Sequence, residues 1–243
     1  MFKQLRVIPR SFSPLRSSIT RSYHSEDHKP FQFTTPQTKI LDEALNLVPI
    51  YGFQHKAILE ASRSQGYSDA IQSLFSNGTY DLIHHHLVKQ RELLQTFITT
   101  DEFTSLKSEN DKVKFLLKKR IMANQPYLKH LNQLQSYLVL PPYFQYSSNE
   151  LHNLSDDILH YSGDFSNDFA WYSKRLSLSS TYVALELFQS QDKSNNSTKT
   201  LELIDKRLNG INELGNFYND AEEFLKFSIN SSINLFKSQA SRG

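Results

Sequence analysis

The strongest constraint on this chain is the spacing of its apolar residues. They recur every three or four positions in segment after segment between residues 37 and 214, and no strand-like alternation of useful length interrupts them. Each segment ends at a residue that a helix does not easily pass. Ile40, Leu41, Ala44, Leu45 and Val48 mark a helix over 37–50 that stops at Gly52. Ala57, Ile58 and Ala61 mark a second over 54–65, stopped by Gly66. Ser68 is placed to cap a short third helix, 69–76, and Asn77-Gly78 ends it. A long helix over 79–100 follows, then helices over 110–123, 126–139 (ending at Pro141-Pro142) and 148–162 (ending at Gly163). Asn167 is placed to cap a long helix over 168–190, and a polar loop at 191–197 leads to a helix over 198–214. The expected fold is all-α, with about ten helices.

With no cysteine, the chain has no disulfide framework, no thiolate metal site and no cysteine nucleophile. No run of 18 apolar residues exists to span a bilayer. The first 23 residues carry Lys3, Arg6, Arg10, Arg16 and Arg21, five serines, one threonine and no acid before Glu26. Phe2, Leu5, Val7, Ile8, Phe12, Leu15 and Ile19 are interleaved among them. Residues 1–23 therefore read as a mitochondrial presequence cut after Tyr23, with a flexible leader over 24–36; the alternative is a disordered basic tail. The charge argument changes with that cut. The whole chain has 27 basic and 25 acidic residues, and losing five basic ones leaves 22 against 25, a net charge near −3. The basic pI is then no argument for nucleic-acid binding.

Helix, helix, Gly66-Tyr67-Ser68 turn, short helix and long connecting helix is the order of a helix-turn-helix head. Ile40-Leu41-Asp42-Glu43-Ala44-Leu45, Gly52-Phe53 and Gly66-Tyr67-Ser68 resemble the head of a TetR-type regulator, whose helical body encloses an apolar ligand cavity. The recognition helix, Ser68 to Ser76, contains no Lys or Arg and one Asp, so it lacks the means to neutralise phosphate or reach base edges. The head is expected to be degenerate, with no nucleic acid bound. A helix-turn-helix DNA-binding regulator is the first alternative function and a di-iron helical enzyme the second.

Residues 156–175 hold the densest pattern: Asp-Asp-x-x-His-Tyr-x-Gly-Asp-x-Ser-x-Asp-Phe-x-Trp-Tyr, followed by Lys174-Arg175. Asp168, Trp171, Tyr172 and Arg175 are spaced to share one helical face, on which Arg175 can stack on Trp171. Ile158 and Tyr161 close the preceding helix. Two aromatics beside a charge pair suit a protein-binding hot spot, but Trp171 equally suits a core anchor between two helices. This block, together with Ala44-Leu45-Asn46-Leu47-Val48-Pro49 and Leu201-Glu202-Leu203-Ile204-Asp205-Lys206-Arg207-Leu208, resembles the mitochondrial ubiquinone-biosynthesis accessory family, ninth of the coenzyme Q series. The match runs from about residue 37 to 240.

The resemblance implies a TetR-like, lipid-binding, non-enzymatic protein with no cofactor. Its lipid would be an isoprenoid quinone intermediate or a phospholipid. The face of Ile158, Tyr161, Asp168, Trp171, Tyr172 and Arg175 would contact the di-iron hydroxylase of ubiquinone synthesis, within the wider coenzyme Q synthesis complex. The corresponding site is the matrix side of the mitochondrial inner membrane, held peripherally. Residues 37–215 would then be one helical domain (head 37–78, lipid-binding body 79–215), and two-helix packing is compatible with a homodimer.

In 216–243, Phe217, Phe224, Leu225, Ile229, Leu235 and Phe236 fall on one side of an amphipathic helix. Such a helix docks on its own core or lies in a membrane interface; the resemblance implies the membrane. Asp81–His84 and Asp157–His160 are acid-x-x-His pairs of the kind found in di-iron bundles, but no inward Glu pair accompanies them, so no metal site or catalytic residue is expected. His84-His85-His86 point three ways around a helix, in expected solvated or capping roles.

Overall fold

A computed structural model describes residues 33–164 and 169–209. The described residues are all-α: α1 Thr35–Tyr51, α2 His55–Ser64, α3 Thr79–Glu92, α4 Leu94–Phe97, α5 Asp101–Thr104, α6 Glu109–Met122, α7 Leu131–Leu138, α8 Pro141–Ser162, α9 Phe169–Gln191 and α10 Thr198–Asn209. Three 3-10 segments, Asp69–Leu74, Gln125–His130 and Asn195–Ser197, join them. The expected presequence (1–23), residues 24–32 of the expected leader (24–36) and the amphipathic segment (216–243) lie outside the described residues, while the leader's last two residues, Thr35 and Pro36, already belong to α1.

Two apolar clusters hold the helices together. Ile40, Leu41 and Leu45 of α1 pack with Ala57 and Ile58 of α2, Leu82 and Ile83 of α3 and Leu134 of α7. Leu116, Leu117 and Ile121 of α6 pack with Leu154 and Ile158 of α8, Leu178 and Leu185 of α9 and Ile204 and Leu208 of α10. Burying a Leu or Ile contributes about 1.5–3 kcal/mol each relative to exposure, so these two sets decide the fold.

The helix ends follow their residues. Gly52 caps α1 at φ 75°, and its amide donates to the Val48 carbonyl at 2.7 Å. A Cβ there would lie 2.7 Å from Gln133 Oε1 and 2.9 Å from His130 Nδ1, so the turn tolerates only glycine. Gly163 ends α8 in the left-handed region at φ 95°. The Asp164 amide then reaches back to the Leu159 carbonyl at 3.0 Å, closing a Schellman-type cap.

Four boundaries differ from the sequence expectation. The third helix is a 3-10 turn, bonded from the Ile71 amide to the Ser68 carbonyl, and Ser68 makes no side-chain cap. The helix expected over 79–100 ends at Glu92 and continues as two short pieces. Thr96, Thr99 and Thr100 hydroxyls bond the carbonyls three residues back, in competition with regular helix formation. The helix expected over 126–139 begins as 3-10 around Pro126. Finally, Pro141-Pro142 not only follow α7 but open α8, because the first turn of a helix has no acceptor waiting for their missing N–H groups.

Candidate functional site: the face where α8 meets α9

The α8–α9 junction brings the 156–175 block together around one guanidinium. Arg175 is buried, donating through Nε to Asp156 Oδ1 at 2.6 Å and through Nη1 to Asp164 Oδ2 at 3.1 Å and to the Trp171 carbonyl at 3.2 Å. Its guanidinium lies 4.0 Å from the centre of the Trp171 ring, the stacking that the four-residue spacing anticipated. His152 of α8 stands 5.8 Å from the same indole. Tyr172 meets Trp171 edge-on at 4.7 Å and is 68% exposed; Leu176, one turn later, is 50% exposed. An aromatic–aliphatic surface thus rests on a buried ion cluster.

Lys174 extends that cluster. Its ammonium donates to Asp164 at 2.8 Å and to Glu109, in the first turn of α6, at 3.0 Å. Partial burial works to lower its pKa, but the hydrogen bonds and charges of Asp164 and Glu109 outweigh this and raise it. Lys174 is therefore charged throughout the physiological range.

The remaining expected contact residues are placed differently. Ile158 is fully buried in the second apolar cluster, so it supports the face from beneath. Arg175 likewise acts from below the surface. Tyr161 is half-buried, with its ring 5.9 Å from that of His160. Asp168 lies outside the described residues, as do Phe217, Phe224, Leu225, Ile229, Leu235 and Phe236.

The acid-x-x-His pairs serve structural ends. Asp81 accepts from the Asn77 amide at 3.1 Å and from Asn77 Nδ2 at 2.9 Å, closing the turn into α3. Asp157 accepts from Arg91 Nη1 at 2.7 Å, while Arg91 Nε binds Glu150 at 2.6 Å. Burial works against the Arg91 charge, but its two carboxylate partners outweigh it and raise its pKa. Among the described residues no group of three or more His, Asp or Glu side chains is arranged to hold a metal ion.

The histidine triplet corrects the expectation of solvated or capping roles. His85 meets Asp42 at 3.0 Å, but His84 and His86 are buried, because α3 is covered by α1 and α2 on one side and α8 on another. Burial first, then the charge of Arg91, lowers the His84 pKa to about 4. Burial first, then the charge of Arg120, lowers that of His86 to about 3.

A buried polar hub went unrecognised in the sequence. Arg120 Nη1 donates to Asn124 Oδ1 at 2.9 Å, and Asn124 Nδ2 donates to Glu186 at 3.1 Å and Gln189 at 3.2 Å. Tyr182 donates its hydroxyl to Glu186 at 2.7 Å. The available signal was polar residues at helical spacing within apolar stripes, Arg120 on α6 with Asn124 just past its end, and Tyr182, Glu186 and Gln189 on α9.

In the head, the 3-10 turn Asp69–Leu74 has no buried residue, and Arg63 is bound bidentately by Asp69 at 3.0 and 2.9 Å. The nearest arginine to the would-be recognition element is thus already neutralised.

Comparison with known proteins follows the same block. The COQ9 family profile matches residues 144–215. The chain is 36% identical to the ubiquinone biosynthesis protein COQ9, mitochondrial, of Saccharomyces cerevisiae, over 92% of this chain and 95% of the relative. It is 32% identical to the Schizosaccharomyces pombe protein of that name (90% and 87%) and 30% identical to that of Homo sapiens (84% and 66%).

Proposed function

The chain belongs to the COQ9 family of mitochondrial ubiquinone-biosynthesis proteins, and on that premise we propose that it serves the pathway as a non-enzymatic lipid-binding accessory that presents substrate to the di-iron hydroxylase. The observation that carries this reading is the surface of Tyr172, Leu176 and the edge of Trp171. A tyrosine 68% exposed beside an indole stacked on a fixed guanidinium has the composition of an interface hot spot. Aromatic anchors held rigid before binding lose little conformational entropy when a partner docks.

The lipid part of the proposal has a physical motive. A polyprenyl tail is nearly insoluble, so an enzyme gains rate when its substrate is lifted from the bilayer and oriented. The amphipathic pattern of residues 216–243 supplies an apolar side rich in phenylalanine, suited to an interfacial membrane contact. Among the described residues no helix is long and apolar enough to cross a membrane, which accords with peripheral attachment to the inner membrane. For the DNA-binding alternative, the head offers an exposed 3-10 turn without Lys or Arg and an Arg63 already paired to Asp69.

The docking face is tested with Tyr172→Lys, supported by Trp171→Lys. The tyrosine is the cleaner site, since a lysine at 171 also faces Arg175. Loss of a hot-spot anchor removes at least about 2 kcal/mol of binding, roughly thirtyfold in Kd. Pull-down of the hydroxylase should fail while the circular dichroism spectrum stays that of the wild type. Capture at wild-type strength by both variants would show that the face lies elsewhere.

A further inference from the structure

The ion cluster beneath Trp171 does more than neutralise itself. Arg175 cannot slide off the indole, because Asp156, Asp164 and the Trp171 carbonyl hold it from three directions. Asp164 is the shared member: one oxygen takes Arg175, the other takes Lys174, and the Gly163 turn delivers its side chain between the two. From there Lys174 reaches Glu109, and the next residue, Asn110, donates to the Leu208 carbonyl of α10 at 3.1 Å. Consecutive residues of α6 thus bond Lys174, on the helix that carries Trp171 and Tyr172, and the end of the last described helix.

We propose that Asp164, Arg175, Lys174 and Glu109 form a positioning device that fixes the Trp171–Tyr172 surface and ties it to the first turn of α6. These are positioning residues for partner docking. The consequence for a partner rests on the docking surface proposed above; the fixing of Trp171 does not.

The strength of the device is graded. Side chains of Arg175, Asp156 and Asp164 are each no more than 5% exposed, so this inner part sits in low dielectric and is little screened by salt. Lys174 and Glu109 are 34% and 45% exposed, which makes the outer arm weak and salt-sensitive. The inner part sets the orientation of the indole; the outer arm supports it more weakly, by holding the shared Asp164, and attaches the surface to α6.

Trp171 is the only tryptophan of the chain, so its fluorescence reads this one position. In the full chain, Asp164→Asn and Lys174→Met should shift the emission to the red and raise acrylamide quenching, about twofold for Asp164→Asn, as the ring loses its fixed cation. Hydroxylase capture should weaken about tenfold with Asp164→Asn, the equivalent of 1.4 kcal/mol. Lys174→Arg should retain wild-type values, and Leu41→Ala, which destabilises the other apolar cluster, should leave the quenching unchanged. If Asp164→Asn lowers the melting temperature yet both variants keep wild-type emission and quenching, the network is merely structural and the inference fails. Lys174→Met, at a partly exposed position, keeps the test valid if Asp164→Asn does not fold. If quenching rises but capture is unaffected, the positioning device stands and the docking assignment falls.

Discussion

Lowering the pH from 7.5 to 5.5 is expected to destabilise the folded chain by about 3 kcal/mol through two histidines alone. His84 and His86 are buried, and their pKa values fall from 6.5 to about 4 and about 3. Between 6.5 and those values the unfolded chain takes up two protons that the folded chain refuses. Stability contributed by their neutral forms is therefore complete above pH 6.5 and falls as pH drops toward 4. At pH 5.5 each imidazole is one unit below its unfolded pKa, or about 1.4 kcal/mol. Glu150 works in the opposite sense, since burial raises its pKa against the pull of Arg91; stopping at 5.5 limits its part. Urea unfolding followed by far-ultraviolet circular dichroism at the two pH values should show a midpoint lower by about 1 M at pH 5.5, given a typical slope of 1–3 kcal/mol/M. His86→Gln should remove about half of that dependence, whatever its effect at pH 7.5. Equal midpoints at the two pH values, or greater stability at 5.5, would refute the burial argument.

Three other outcomes follow from the packing. Arg91→Met leaves Glu150 and Asp157 buried without their shared cation and should destabilise by about 3–5 kcal/mol, read as a lower melting temperature. Gly52→Ala meets both a positive φ and contacts under 3.0 Å, and should lose about 1–3 kcal/mol by the same assay. Lipid extracted from the purified chain and analysed by mass spectrometry should contain an isoprenoid quinone intermediate or a phospholipid at near-stoichiometric yield; extracts free of both would remove the carrier role.

The helical architecture was legible in the sequence because three-and-four spacing and Gly or Pro stops are local signals. Ile40 to Val48 ending at Gly52, and α8 ending at Gly163, lie where those residues dictate. What depended on tertiary context was less visible. Pro141-Pro142 read as a stop, yet the same geometry starts a helix when the chain turns back. The stacking of Arg175 on Trp171 followed from an i,i+4 spacing, whereas its anchoring by Asp156 and Asp164 needed the α8–α9 turn to bring distant residues together. Ile158 read as part of a surface because its chemistry fits a contact as well as a core, and only the packing of α6 and α9 decides that it is buried. The hub around Asn124 stayed hidden because polar residues on an apolar stripe look exposed until their partners on another helix are known.

The docking claim is tested most directly by labelling the single tryptophan as 5-fluorotryptophan and titrating the chain with unlabelled hydroxylase. One fluorine resonance reports Trp171 and nothing else. The account predicts that this resonance shifts or broadens in step with complex formation and that Tyr172→Lys abolishes both. A complex that forms by size-exclusion chromatography while the resonance stays unmoved would contradict it.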